Sequence, residues 1–572
     1  GAAGARAAYD LSCAGVKTVL AVKGLLGRSG CSVFAGNLNY FGTPEDDDEE
    51  AEIEVQSEED VLARAQRNVS FSARYTHYLG DQEYMQNAAK FSQKEFFPWI
   101  ERNGIYVLRD EKGDIVTDKP ENTSAWSVKM GMSGSLVMDM MRKLIQPRKD
   151  IHLLEQTTIT RLLKNGEDVV GAVALDYLHG KVYVIQAKAV IMAAGSSNYL
   201  SLRTTGTRDG AATGWVMAYE AGAKLQNIEI QWYHASDVAY PATWMRLHLY
   251  PNPLPNSEHR SKMYTRDGKL FFDCNWYQGN PVPYYLQMKH LVKEVEAGNA
   301  DFGGGFFSSW QHVESEVLEK LVYQTQFMKK IGIDLKTDMM ENGATYHMNV
   351  GGVKTNGLTM ESDVPGLLIA GSVAGLVTGG LSNSTYDGLV AAKVAEERVR
   401  SLDRHIPLDK ELVEVEISRV YDLFRTDPSD GLLPGQVKKR IRTVTWEDLN
   451  YTKSEESMRK AYAAYTRIEE EDIPRMRLQT NTKRFNFDWV EALDAVDMLA
   501  ALKLQIQFSL YRKESRGGFY REDFPITDNV DWLAHVIGHK KDNGELSLEK
   551  TPVDLPYVRP KEDRANFFDL DY

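Results

Sequence analysis

An α/β fold of the Rossmann-like kind is predicted for this 572-residue chain by three observations. The first is a glycine turn at the start, Gly1-Ala2-Ala3-Gly4. It is followed by a small-residue helix over 5–14, Gly15, and an apolar strand over 16–22. Read as the tail of a G-x-G-x-x-G turn, Gly1 is the second glycine and Gly4 the third. Such a turn brings backbone N–H groups and the partial positive charge of a helix N-terminus up to a pyrophosphate. The second observation is a hairpin followed by an apolar strand that ends in Ala193-Ala194-Gly195. The third is a change to a charged, helical pattern from 405 to 540, with 3.6-residue apolar spacing over 490–499. An ordinary alanine-rich helix after a turn would look much the same at the N-terminus. The glycine-ended strands further along favour the dinucleotide reading.

The length predicts two to four domains and a large core. A net charge of −14 argues against nucleic acid and anionic membrane surfaces as partners. The three cysteines, Cys13, Cys31 and Cys274, include no C-x-x-C pair. The chain is therefore expected to hold no iron–sulfur cluster and no metal site of the usual spacing. Few cysteines also fit a reducing compartment. No apolar run reaches the length of a membrane span, so no direct membrane insertion is expected.

After the second strand, residues 23–37 form a glycine- and serine-rich loop entering a short small-residue helix. Nothing bulky projects from it, so it can pass beneath a flat ring system. Dinucleotide sites that bind NAD place an acid at the end of the second strand. Val22-Lys23 stands there, which weighs against NAD and leaves Lys23 a phosphate or stacking role. Gly1-Ala2-Ala3-Gly4, followed by Arg28-Ser29 and the small-residue loop, resembles the FAD-binding flavoprotein family of fumarate reductase and succinate dehydrogenase. L-aspartate oxidase and adenylylsulfate reductase are relatives. The respiratory members carry, after Arg-Ser, a histidine bonded covalently to FAD. Here Gly30 takes its place, which implies non-covalent FAD.

The acidic run over 44–61 is expected to be a solvated loop, with a docking patch for a basic partner as the alternative. Residues 61–103 are expected to be helical, with core aromatics, and 105–119 to form a hairpin. A helix over 131–144, an apolar stretch over 151–155, a hairpin of 169–175 and 181–185 and the Ala-Ala-Gly strand then match the organisation of an FAD domain. Thr204-Thr205 and Gly214 continue the match.

The segment 226–234, ending in Gln231-Trp232-Tyr233-His234, resembles the family's M-E-F-x-Q-Y-H-P, whose histidine faces the substrate. His234 is the first catalytic candidate, although Ala235 replaces the proline. The family's R-G-E-G-G, whose arginine protonates the substrate carbon, is missing. Arg246 and Arg260 are the nearest substitutes, in a stretch rich in Trp, Tyr and Pro. That stretch predicts either a larger, more apolar pocket or simply the core of a capping domain. Residues 282–335 read as helical, broken at Gly303-Gly304-Gly305. Ala344 to Val353 resembles A-H-Y-x-M/C-G-G-I/V, whose histidine binds substrate and whose glycines let the backbone approach the isoalloxazine. This makes His347 the leading catalytic candidate.

Gly366 to Gly375 and Gly379 to Ser384 resemble the family's second flavin segment, G-L-Y-A-x-G-E followed by R-L-G-S-N-S-L. Ser372 replaces the acid, and glycine near Gly379 replaces the arginine that clamps a substrate carboxylate. A bidentate guanidinium contact is not easily replaced, so a simple C4-dicarboxylate substrate is not expected. Arg512 to Pro525 resembles R-x-E-S-R-G-A-H-x-R-E-D-F/Y-P, which ties the helical domain to the flavin domain.

The resemblance implies an FAD-binding Rossmann-like domain in two stretches, 1–226 and 345–402, an inserted capping domain, 227–344, and a helical C-terminal domain and tail, 403–572. FAD would be held by Gly1, Ala2, Ala3, Gly4, Lys23, Arg28, Ser29, Gly30, Ala35, Gly36, Ala194, Gly195, Gly371, Ser372, Ser382, Asn383 and Ser384. Hydride transfer at a C=C or CH–CH bond is the expected chemistry, inside a hetero-oligomer with an iron–sulfur electron-transfer subunit. A cytoplasmic location is expected, with any membrane association made through partner subunits. Two alternatives stay open: adenylylsulfate-reductase-like flavin chemistry on a sulfur compound, and an electron relay with no organic substrate.

Overall fold

The computed structural model describes residues 1–35, 38–40, 58–107, 109, 125–127, 133–240, 261–273, 284–320, 322–376, 380–424 and 431–570. Gly36, Arg246, Arg260, Gly379, Cys274, most of the acidic run and most of the 105–119 hairpin lie outside the described residues.

The opening helix, Ala2–Cys13, buries Ala2, Ala3, Ala5, Ala7 and Ala8. Small side chains let it lie close to its neighbours. One neighbour is the 21-residue helix Leu381–Ser401. A Cβ on Gly388 of that helix would come within 2.3 Å of the Ala3 carbonyl, so the two backbones nearly touch. Strand Thr18–Ala21 pairs in parallel with Ile151–Leu154, and Val190–Met192 pairs in parallel with Leu367–Ile369. The last pair joins residues on either side of the whole inserted region, so the Rossmann-like part is built from separated stretches.

Next to it, Thr157–Asn165, Asp168–Asp176 and Lys181–Gln186 form a three-stranded antiparallel sheet. The sequence predicts only a hairpin from the last two. The first strand carries an extra residue, Thr160, where the register shifts after Ile159, and this breaks the alternation that would have revealed it.

The inserted region centres on a five-stranded antiparallel sheet. Its order is Gln231–Tyr240, Met340–Asn349, Phe306–Ser309, Lys262–Thr265, Leu270–Asp273. Met340–Asn349 runs through the boundary expected at 344. The stretch 282–335, expected to be largely helical, holds helices Tyr284–Glu296, Ser315–Lys320 and Val322–Lys330, and the glycine break leads into a strand that was not expected, Phe306–Ser309. Four residues are too few for a two-residue period to stand out in sequence.

The C-terminal part supplies helices Lys410–Asp422, Pro434–Asp448, Glu455–Arg467 and Phe487–Tyr511. The last is apolar on most sides, burying Trp489, Leu499, Leu502, Ile506 and Phe508, because it runs through the core. The tail after Asn543, loop-like by sequence, also holds a strand. Leu546–Pro552 pairs with Ala534–Lys540, which pairs with Leu225–Gln226, which pairs with Gly352–Val353. The Lys- and Glu-bearing strand 546–552 is an edge strand, where charge is expected and hides the strand pattern. This sheet stitches the C-terminal region to both sides of the insertion.

Candidate active site

Two parallel strands, Val190–Met192 and Leu367–Ile369, end side by side against the first turn of the opening helix. A Cβ on Gly4 would lie 3.2 Å from the Ala193 Cβ. One on Gly371 would lie 3.2 Å from the Ala3 Cβ and 3.9 Å from Ser384 Oγ. The N-terminal turns of two helices therefore converge on Gly371, whose φ of +76° suits glycine. Helix starts leave N–H groups without intrahelical acceptors and carry partial positive charge. Gly195 (φ +83°) and Gly30 each look onto open space where a Cβ would be. A crevice at the carboxyl ends of parallel strands, lined by helix N-termini and glycine, fits the phosphates and flat ring of a flavin dinucleotide.

Around this cradle, Ala2 N–H donates to Ser32 Oγ at 3.1 Å. Gly30 N–H donates to Asp209 Oδ2 at 3.1 Å. Ser29 Oγ closes its own loop, donating to the Leu25 carbonyl at 2.9 Å and accepting from Leu25 N–H at 3.0 Å. Ala35 O accepts from Gly134 N–H at 2.8 Å. Ser382 and Asn383 are buried in the first turn of helix Leu381–Ser401, and Ser372 and Ser384 are half-buried beside it. Asp387, which the sequence did not single out, accepts from Gly371 N–H at 2.9 Å and from the Tyr84 hydroxyl at 2.6 Å. Burial pushes its carboxyl up to about 6, against the pull of those two hydrogen bonds. Its place, four residues after Asn383 on the same helix, was a signal that spacing offered.

Two expected cofactor residues have other partners. Lys23 Nζ lies 2.7 and 2.8 Å from the two carboxylate oxygens of Asp494 on the helix Phe487–Tyr511. Arg28 is exposed and ion-paired with Asp139. The double glycine after His347 also has a neighbour other than the one expected. A Cβ on Gly351 would fall 2.1 Å from the Gln226 carbonyl, and one on Gly352 would fall 2.3 Å from the Val373 carbonyl. These glycines let three stretches of protein backbone pack against one another.

His234 and His347 come together. Strands Gln231–Tyr240 and Met340–Asn349 pair with Trp232 opposite Met348 and Tyr233 opposite Tyr346, so His347 is the extra residue of a β-bulge. The two imidazole rings stand edge to face, 4.0 Å between centroids. Tyr233 and Tyr346 pack together on the opposite face, 5.6 Å apart. His234 is buried and His347 half-buried. Thr205 Oγ1 lies 2.6 Å from His347 Nδ1, and Asn198 Nδ2 donates to the His347 carbonyl at 3.1 Å. Asn198 Nδ2 also reaches Cys31 Sγ at 3.5 Å, one residue beyond Gly30. The histidine pair is thus one side chain away from the loop expected to hold the cofactor. Sequence reasoning noted Thr205 only as part of a match and missed Asn198, whose nearest signal is its position three residues after Gly195.

Behind the histidine strand lies a buried ion network. Glu229, Arg512, Glu514 and Arg516 are all inaccessible to solvent. Arg512 bonds Glu229 at 2.6 Å and Glu514 at 2.7 Å, and Arg516 holds both oxygens of Glu514 at 2.8 and 2.9 Å. Burial pushes Glu229 up, with Arg512 pulling it down. A Cβ on Gly518 would overlap the Gln231 carbonyl, so this loop is moulded onto the strand that carries His234.

The sequence model of the FAD binding domain matches residues 1–244, and that of the fumarate reductase flavoprotein C-terminal region matches 438–565. The chain belongs to the flavoprotein family of fumarate reductase and succinate dehydrogenase. This flavoprotein is an FAD-dependent oxidoreductase. It is 24% identical over 551 residues to an uncharacterised FAD-dependent oxidoreductase of Methanocaldococcus jannaschii, covering 94% of this chain and 95% of that one. It is 24% identical over 559 residues to a fumarate reductase (CoM/CoB) subunit of Methanothermobacter marburgensis, covering 95% and 96%. The fold matches an E. coli quinol fumarate reductase with a TM-score of 0.83 at 18% identity, over 98% of this chain and 97% of that one. It matches adenylylsulfate reductase of Archaeoglobus fulgidus with 0.76 at 19%, over 98% and 94%. Among the described residues no cluster of His, Cys, Asp and Glu could hold a metal ion, and no helix is long and apolar enough to cross a membrane.

Proposed function

We propose that this flavoprotein reduces an activated C=C bond, or oxidises the corresponding CH–CH bond, as one subunit of a complex. Bound FAD, held non-covalently with Gly30 at the loop, supplies the hydride chemistry at N5. The chain's own side chains bind and polarise the substrate. His347 and His234 are the groups for this task. An imidazole hydrogen bond to a substrate carbonyl or carboxylate favours the negative charge that develops there. One arginine, Arg246 or Arg260, remains the proposed proton donor or anion clamp. The observation that carries the reading is the histidine pair, brought to 4.0 Å by a bulge and linked to the cofactor loop through Asn198. The name of the Methanothermobacter relative supports C=C reduction. The missing arginine near Gly379 points away from a simple C4-dicarboxylate. Electrons would be exchanged with an iron–sulfur partner subunit.

The test is a native purification with a visible spectrum for flavin and iron–sulfur bands, then a screen of enoates and enoyl-thioesters for flavin reoxidation. His347→Ala is expected to stay yellow and to lose turnover by about 10²- to 10⁴-fold. Unchanged turnover would remove His347 from the site. Bleaching by sulfite without any response to enoates would favour the sulfur chemistry instead.

A further inference from the structure

His347 sits where a bulge has interrupted the strand ladder, and a bulged residue needs other partners to hold its side chain in one direction. One loop supplies several of them, beside the ring of His234. Thr205 N–H donates to the Tyr346 carbonyl at 3.0 Å, and Tyr346 N–H donates to the Arg203 carbonyl at 2.9 Å. Asn198 Nδ2 donates to the carbonyl of His347 itself. Thr204 Oγ1 donates to the Asn198 carbonyl at 2.6 Å, so the clamp is braced from behind. The backbone of the bulge is thereby held. Thr205 Oγ1, 2.6 Å from Nδ1, restrains rotation of the imidazole.

We propose that Thr205 is the positioning residue of His347: its hydroxyl commits Nδ1 to the protein and turns Nε2 toward the substrate. The inference rests on the reading that His347 addresses the substrate. Threonine suits the task because its branched Cβ restricts χ1, so the hydroxyl is held in place before the imidazole arrives. A hydroxyl can donate or accept, so it can serve His347 in either neutral tautomer and in the cationic form. Thr205 is itself buried, which keeps water from competing for Nδ1.

The experiment compares Thr205→Val, which keeps the shape and removes the hydroxyl, with Thr205→Ser, which keeps the hydroxyl. It uses the purified flavin-loaded protein and the substrate found in the enoate screen. Thr205→Val is expected to retain its flavin spectrum and melting temperature and to lose about 10- to 100-fold in kcat, with KM changed less than about threefold. Thr205→Ser should recover most of the loss. Combined with His347→Ala, Thr205→Val should add nothing, because the two act through one ring. Should Thr205→Val lose flavin, Thr205→Ala is read in the same way. Full activity of a flavin-loaded Val or Ala variant, beside an inactive His347→Ala, overturns this inference alone. Full activity of His347→Ala overturns the reading beneath it. A Ser variant as impaired as Val also overturns the positioning role, because the hydroxyl is then not what matters.

Discussion

Asp387 shows what burial does to one carboxylate. Both of its oxygens are in hydrogen bonds, to the Tyr84 hydroxyl and to Gly371 N–H, yet the lost hydration outweighs them and its pKa rises from 3.8 to about 6. The folded chain therefore binds this proton more tightly than the unfolded chain. The stabilisation is complete below about pH 4 and is lost as pH rises through about 6, worth about 3 kcal/mol at most. Asp387→Asn is expected to remove that contribution. It should also cost about 1–3 kcal/mol, because the amide NH2 takes the place of one accepting oxygen and cannot accept from the donor there. Melting curves between pH 4 and 7 check this: the variant should melt lower, and its difference from the parent should shrink as pH rises. A constant difference would refute the assignment. Gly371 is the loop that meets both helix starts, so the same variant should also bind flavin more weakly.

At the scale of elements, the strand carrying His234 is held from behind. Glu229 and Glu514 are matched by Arg512 and Arg516, two charges of each sign with no solvent contact. Such a group is costly to bury and more costly to unbalance. Glu229→Gln leaves two guanidiniums facing one carboxylate and is expected to destabilise by about 3–5 kcal/mol. Differential scanning calorimetry checks it, and an unchanged transition would mean the network is not the tie described here. The two ends of the pair lie 283 residues apart in sequence. The motif from Arg512 to Pro525 announces its ionic character in sequence; its partner Glu229, in the turn before the histidine strand, does not.

At the scale of the molecule, the inserted region is tied down from the C-terminal side. Lys289, buried on helix Tyr284–Glu296, donates to the carbonyls of Phe567 at 2.6 Å and Leu570 at 2.9 Å, with its ammonium 4.4 Å from the centre of the Phe567 ring. Phe567 stacks on Tyr520, inside the loop that follows the arginine network. Helix and tail thus share one anchor. Lys289→Met keeps the bulk and removes the donors. Hydrogen exchange in 284–296 and 567–570 is expected to rise by one to two orders of magnitude, with the flavin spectrum unchanged. Unaltered exchange would show that apolar packing alone holds the tail. Lys23 makes a comparable tie, joining the end of the second Rossmann-like strand to Asp494 across 471 residues.

Local pattern was enough to read the opening helix, the glycine-ended strands and the helices between 410 and 511, and to single out both histidines as candidates. Each of these depends on neighbours within a few residues, where periodicity, small side chains and motif spacing carry the information. The strands from Tyr520 to Lys540 fall where helix was expected. The strand Phe306–Ser309, the role of Asp387, the bulge at His347 and the partner of Lys23 were not readable in that way. Each depends on which surfaces meet after the chain has closed. The amino-acid sequence by itself determined that this protein holds FAD in a Rossmann-like fold and pointed to two histidines as candidates for its site. Only the tertiary structure decided that those histidines touch, and which loop holds them there. A side chain's type is local, but its orientation is set by packing and hydrogen bonds between segments far apart along the chain.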